Sequence, residues 1–223
     1  ASMSAMKKWA KNTRRNHIIV EHNDDSGSVD EQAYIEKLTS DVRVVSIVHT
    51  SPVTGMTVDL EKITKEVRNV TPDCIIIVDG IQHSSHGAID VQKYDIDGYV
   101  VSPYKMFSRH GYGVAWASER LCTLNKEQLA DGPFQNWELG TRDAGSYATF
   151  SDVVDYLDWL GSNFTESENT RERLEASSIA IKSHEQELVD LVINGAEDIV
   201  GLRNNKKIRI IGNSASTSRE GVV

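Results

Sequence analysis

Short runs of Val and Ile, separated by stretches of helical spacing, leave this chain few architectures. Cys74–Val78 is continuously apolar and stops at Asp79-Gly80. A run that short and uniform fits a strand buried on both faces, as in a parallel sheet. Arg43–Val48 and Gly98–Val101 read the same way, and His17–Glu21 reads as a further short strand. Helical patterns lie between them. Asp59–Asn69 places Leu60, Ile63 and Val67 on one face. Ser28 is a candidate cap, with Glu31 three residues on, for a helix whose apolar side is Val29, Ala33, Ile35 and Leu38. Strand and helix alternate, which predicts right-handed parallel crossovers. The fold class is α/β, a mostly parallel sheet with helices on both faces.

The flanking segments are less regular. Met3–Thr13 reads as the tail of a helix, and its Lys7, Lys8, Lys11, Arg14 and Arg15 suit either the negative end of the helix dipole or a solvated face. Val114–Ala117 adds a strand, Leu121–Ala130 is polar and partly helical, and Phe134–Thr149 reads as loop. Phe150, Val153, Val154, Leu157 and Leu160 keep helical spacing up to Gly161. Asn169 caps a predicted helix over Thr170–Asn194, stopped by Gly195, with Leu174, Ile181, Leu188 and Leu191 as its core stripe. Lys206–Ile211 reads as a strand and Asn213–Gly221 as loop.

The 223 residues suffice for one sizeable core and part of another. The net charge of −9, with no basic tract, argues against nucleic acid as a partner. No run approaches a membrane span, and no signal peptide is evident. The two cysteines, Cys74 and Cys122, make no disulfide framework, and Cys74 sits in an apolar strand as a packing residue. Asn69-Val70-Thr71 and Asn163-Phe164-Thr165 match the glycosylation pattern by chance in a chain expected to be cytoplasmic.

Chemistry concentrates between Ile75 and Gly113. Asp79 stands just outside the carboxyl end of its strand, the edge where open α/β sheets bind ligands. Gln82 follows in the turn. Pro103 ends the next strand, leaving Ser102 and Lys105 at its end. Neighbouring strands would bring Asp79 and Lys105 to one pocket. Solvated surface charges and ordinary turn residues have the same spacing. The sharper reading is a pyridoxal phosphate site, which needs a lysine for the Schiff base and an acid that keeps the pyridine nitrogen protonated.

This segment resembles the fold-type I pyridoxal-phosphate enzymes of the class V aminotransferase family, which includes cysteine desulfurases and isopenicillin-N-epimerase-like proteins. The matching residues are Val78-Asp79-Gly80-Ile81-Gln82, His86, Asp90-Val91, Asp97, Ser102-Pro103-Tyr104-Lys105 and Gly111-Tyr112-Gly113. A looser likeness runs from Ala1 to about Gly161. The resemblance implies that Lys105 forms the Schiff base and then moves the proton at the substrate's α carbon. It implies that Asp79 pairs with the pyridinium nitrogen, Gln82 with the phenolic oxygen, and Ser102 with the phosphate, with the Tyr104 hydroxyl as a further phosphate donor. His86 matches the pattern without a catalytic role. Trp137-Glu138-Leu139-Gly140-Thr141-Arg142 resembles a family segment that crosses a two-fold axis. Thr141 would then donate to the phosphate held by the partner's Ser102, which makes the protein a homodimer.

Some positions depart from the family pattern. Tyr104 stands where desulfurases usually carry His, Pro52 where many relatives carry Asn, and Ser108-Arg109-His110 where Gly-Pro-Thr or Gly-Pro-His is usual. By the same resemblance, residues 1–145 are the central part of the cofactor-binding large domain. Residues 146–223 are then connecting helices and the start of a smaller α+β domain. The family's first phosphate-binding turn and ring-stacking residue would precede Ala1, and its carboxylate-binding arginine and desulfurase cysteine would follow Val223. Two functions are therefore expected. One is a pyridoxal-phosphate enzyme acting on a small amino-acid substrate, of cysteine desulfurase-like or C–S lyase-like type, with epimerase and aminotransferase as variants. The other is an incomplete, non-catalytic domain with a structural or interaction role.

Overall fold

Val44–Val48 (β1), Ile75–Asp79 (β2) and Gly98–Val101 (β3) pair side by side in parallel, and Val114–Ala117 (β4) closes the sheet antiparallel to β3. The computed structural model describes residues 2–132, 137, 139–141, 143–212 and 219–222. The register sets Val44 against Ile75 and Ile77 against Gly98, so all three parallel strands point their carboxyl ends at one edge. In β2, Ile76 and Val78 are sealed, whereas Ile75 and Ile77 are only half-buried. The sheet is flanked by helices.

Leu60–Val70 (α3) links β1 to β2. Its Leu60, Ile63 and Val67 are buried as the spacing predicts, and the Asp59 side chain caps it by accepting from Lys62 N at 3.0 Å. Ser2–Asn12 (α1) buries none of its residues. Ala144–Gly161 (α5) and Thr170–Asn194 (α6) pack on each other. Their close approach depends on Gly161, where a Cβ would stand 1.9 Å from the Arg173 carbonyl oxygen. That oxygen is backbone and cannot swing aside. Gly161→Ala is expected to destabilise the fold by about 1–3 kcal/mol, read as a lower urea midpoint with an unchanged slope.

Several expectations are corrected. His17–Glu21 forms no strand with any of the described residues. Asp30, not Ser28, caps Glu31–Ile35 (α2), because its carboxylate already accepts from Gln32 N at 2.9 Å. Glu119–Cys122 (α4) starts earlier than expected, capped by Ser118. The presumed loop before Phe150 ends early, because Asp143 accepts from Ser146 N and Ser146 Oγ and starts α5 at Ala144. In α6 the inward face carries Ser177, Val189 and Ile193, leaving Leu188 and Leu191 47% and 44% exposed. Among the described residues Lys206–Ile211 finds no partner strand, and Ile208 and Ile211 stay exposed. The short hairpin of Gly195–Ala196 (β5) and Ile199–Val200 (β6) comes before it. Residues 213–218 of the expected terminal loop lie outside the described residues, and Arg219 bridges to Met56.

Asp97 ties the sheet to its surroundings. Its side chain is 1% exposed and accepts from Ile76 N at 2.8 Å, Arg68 Nη2 at 2.9 Å, Arg120 Nε at 2.7 Å and Ser118 Oγ at 3.1 Å. Burial alone pushes this carboxyl up. Arg120, the Ile76 N–H and Arg68 outweigh it and hold the group below the usual carboxylate range.

Candidate active site

The shared carboxyl edge collects the predicted residues. Asp79 is the last residue of β2 and pairs in register with Val100 of β3. Gly80 then turns the chain hard against Tyr99, for a Cβ there would stand 2.1 Å from that ring. The turn continues through Gln82 into a helical turn at His83–Ser85. On the neighbouring strand, Ser102 leads into a second helical turn, Pro103–Lys105. The two turns meet where Lys105 Nζ donates to Gln82 Oε1 at 2.6 Å. The Asp79 carboxylate accepts from Ser2 Oγ at 2.6 Å and Ile81 N at 3.2 Å.

Behind this edge lies a polar network. Gln82 Nε2 meets His86 Nε2 at 2.9 Å, and His86 Nδ1 lies 2.9 and 2.8 Å from the Glu185 oxygens. His49 and His83 stack with ring centroids 3.7 Å apart, and His49 Nδ1 is 2.8 Å from the Tyr99 hydroxyl. Burial, with His83 and Lys182 nearby, pushes His49 down to about 2, so the ring is neutral at ordinary pH. Burial likewise raises the Tyr99 phenol, helped by Tyr94, Asp79 and Glu220.

Glu220 reaches the network from the far end of the chain. It accepts from Thr57 Oγ1 at 3.0 Å and lies 3.2 Å from His83 Nδ1. Burial raises this carboxyl, but His83, Lys182 and Thr57 outweigh that and lower it. His86, Glu185 and Glu220 offer ligand atoms within 4.8 Å of one another, but the Lys182 ammonium, 3.8 Å from Glu220, already supplies positive charge there.

The other predicted residues are spread wider. Ser102 is half-buried, and its hydroxyl does not cap the turn that follows. Tyr104 is 40% exposed and stacks on His110 with centroids 4.2 Å apart. Thr141 is exposed in the segment before α5. Arg109 is exposed and paired with Asp143. A cleft of about 420 Å³ lies away from Lys105, lined by Phe107, Arg109, Asp152 and Tyr156 among others. Sequence reasoning missed Ser2, Glu185 and Glu220. Their partners lie 77, 99 and 163 positions away, and no local pattern signals such contacts.

Residues 2–178 match the aminotransferase class-V family, and the chain belongs to it. Among curated relatives it is similar to a cysteine desulfurase of Wigglesworthia glossinidia brevipalpis, 34% identical over 96 residues, covering 43% of this chain and 23% of the relative. It is also similar to probable cysteine desulfurase 2 of Mycobacterium leprae, 24% identical over 210 residues, covering 87% of this chain and 44% of the relative. The fold matches that of the cysteine desulfurase CsdA from Escherichia coli, with a TM-score of 0.64, 22% identity, and coverage of 83% of this chain and 46% of that one. It matches the apo cysteine desulfurase of Thermococcus onnurineus NA1 with a TM-score of 0.65, 21% identity, and coverage of 92% and 52%. The chain thus spans between about a quarter and a half of the length of these relatives.

Proposed function

We propose that the full protein is a pyridoxal-phosphate enzyme that acts on a small amino acid, with desulfurase-type cleavage of a C–S bond as its reaction. The observation that carries this reading is the contact of Lys105 with Gln82 at the edge where Asp79 also ends its strand. The donor set fits the cofactor. The Asp79 carboxylate has two oxygens and only two described donors, so it retains lone pairs for a pyridinium N–H. The Gln82 amide carries a second N–H beyond the one facing His86. Bound pyridoxal phosphate supplies an electron sink for the substrate's α carbon.

The chain's own residues divide the remaining work. Lys105 holds the cofactor and carries the proton at the α carbon. Asp79 holds the proton at the ring nitrogen, and Gln82 orients the ring's oxygen side. Ser102 and Tyr104 bind the phosphate, with Thr141 serving a partner subunit in a homodimer. The desulfurase choice rests on the relatives. Residues 1–145 form the central part of the large domain, and residues 146–223 lead into a smaller one, a boundary that falls in the first turn of α5. A cytoplasmic setting suits two free thiols; among the described residues no helix is long and apolar enough to cross a membrane.

The test uses the full-length protein mixed with pyridoxal phosphate. An absorbance band at about 400–430 nm that borohydride abolishes is expected, and it should be absent in Lys105→Ala. Added cysteine should yield alanine and reducible sulfur. A protein that forms no such band, or forms it equally in Lys105→Ala, sinks the assignment.

A further inference from the structure

Lys105 is the start of a chain of hydrogen bonds whose direction is set at its other end. Its Nζ donates to Gln82 Oε1 at 2.6 Å, Gln82 Nε2 meets His86 Nε2 at 2.9 Å, and His86 Nδ1 meets both Glu185 oxygens at 2.8 and 2.9 Å. An ammonium has only donors, so the amide must present its oxygen to Lys105. Its NH₂ then faces His86, whose Nε2 must be the bare, accepting nitrogen. The ring proton therefore sits on Nδ1 and is donated to Glu185, which as a carboxylate only accepts. Each member has one orientation compatible with its neighbours, constrained at one end by the Lys105 ammonium and at the other by the Glu185 carboxylate.

We propose that Glu185 is a positioning residue: through the tautomer of His86 it holds the Gln82 amide oxygen toward Lys105. This rests on the reading of Lys105 as the cofactor lysine. Glu185 reaches the site from α6, 99 positions from His86, and is only 25% exposed at its side chain. Without it, His86 is free to carry its proton on Nε2. That N–H would face the Gln82 NH₂, donor against donor, and relieving the clash rotates the amide. The rotated amide turns N–H groups toward the lysine and removes the acceptor of its ammonium. The other titratable or charged groups nearby are Asp79, which accepts from Ser2 Oγ and Ile81 N, and His83, Lys182 and Glu220. The last three are linked to one another at 3.2 and 3.8 Å, and among the described residues the Gln82 amide itself hydrogen-bonds Lys105 and His86.

The test compares wild type, Glu185→Gln and Glu185→Leu in the full-length protein, each first shown to be folded. In cofactor-free protein, ring ¹⁵N shifts are expected to report a neutral His86 with its proton on Nδ1. Glu185→Gln keeps that tautomer, because its carbonyl oxygen still accepts. Glu185→Leu moves the population toward Nε2–H by roughly tenfold. The second readout is the pH dependence of borohydride-trapped pyridoxal phosphate on Lys105. Its midpoint should fall by about one pH unit in Glu185→Leu, because the ammonium has lost its acceptor, and should hold in Glu185→Gln. A wild-type His86 protonated on Nε2, or a Glu185→Leu variant with the wild-type tautomer, overturns the proposal. So does a midpoint unmoved by Glu185→Leu. A protein that captures no cofactor yet shows the expected tautomer change defeats the functional reading while supporting the relay.

Discussion

Asp79→Ala is expected to lower turnover of the full-length protein by roughly 100- to 5,000-fold while leaving part of the cofactor bound. The range converts the about 3–5 kcal/mol lost when one member of a buried charge pair is removed, at 1.36 kcal/mol per decade. Asp79 sits at the end of β2 and is half-buried, so on the proposed function alanine there would leave the cofactor's ring nitrogen without its acid. The ring would then lose its proton and much of its capacity to take electrons from the α carbon. Binding survives in part because Lys105 and Ser102 sit on the other strand's turn and do not depend on Asp79 for their fold. Asp79→Asn should be nearly as slow, since an amide accepts a hydrogen bond but stabilises no charge. Steady-state rates together with cofactor content decide the matter. Turnover within threefold of wild type in Asp79→Ala would give this acid a different role.

The second large effect concerns stability. Asp97→Ala should cost about 3–5 kcal/mol, the scale for breaking a buried pair. It leaves Arg68, 13% exposed at its side chain, with only the exposed Asp95 carboxylate at 3.3 Å, and Ile76 N without an acceptor. Arg120, 40% exposed, recovers some solvation, which keeps the loss from growing further. The pH signature follows from the direction of the shift. The folded-state carboxyl titrates below the unfolded one, so its contribution is complete above about pH 3.9 and disappears as pH falls through the depressed folded value.

His49 acts in a higher window. Its folded value is lowered to about 2, so below about pH 6.5 the unfolded chain takes up the proton first. Stability then falls with pH, by up to about 1.4 kcal/mol per unit. Urea midpoints at several pH values separate the two. Asp97→Ala should lose stability at every pH above 4 and keep the slope between pH 6 and 4. An Asp97→Ala midpoint equal to wild type at pH 7 would show that this carboxylate, just before β3, does not hold the sheet to its surroundings.

Much of the sheet could be read from the sequence because its signal is local. Cys74–Val78 and Gly98–Val101 are apolar for as long as a strand lasts, and Leu60, Ile63 and Val67 carry a helix period that burial obeys. Asp79, Gln82, Ser102 and Lys105 could be placed at one sheet edge because each ends a strand or lies in the turn after it. The errors arose where competing local groups decided. Asp30 caps the helix for which Ser28 is the sequence candidate, and Asp143 starts a helix inside the stretch Phe134–Thr149 that reads as loop. The α6 stripe was misjudged because Ser177 and Gly161 allow a close helix approach that apolar counting does not reward. Glu185 and Glu220 carried no local sign of their role.

The separation between His86 and Glu185 also has a consequence in time. Lys105 and Gln82 are 23 positions apart and lie on turns of adjacent strands, so they can meet as soon as the sheet forms. Glu185 must close a loop of 99 positions, which costs about 1.3 kcal/mol more in chain entropy. Contacts of that range form late. The contact between His86 and Glu185 is therefore expected to form after the pairing of β2 with β3. Until that contact forms, the Lys105 ammonium alone orients the amide, and His86 behind it has no carboxylate to hold its proton on Nδ1.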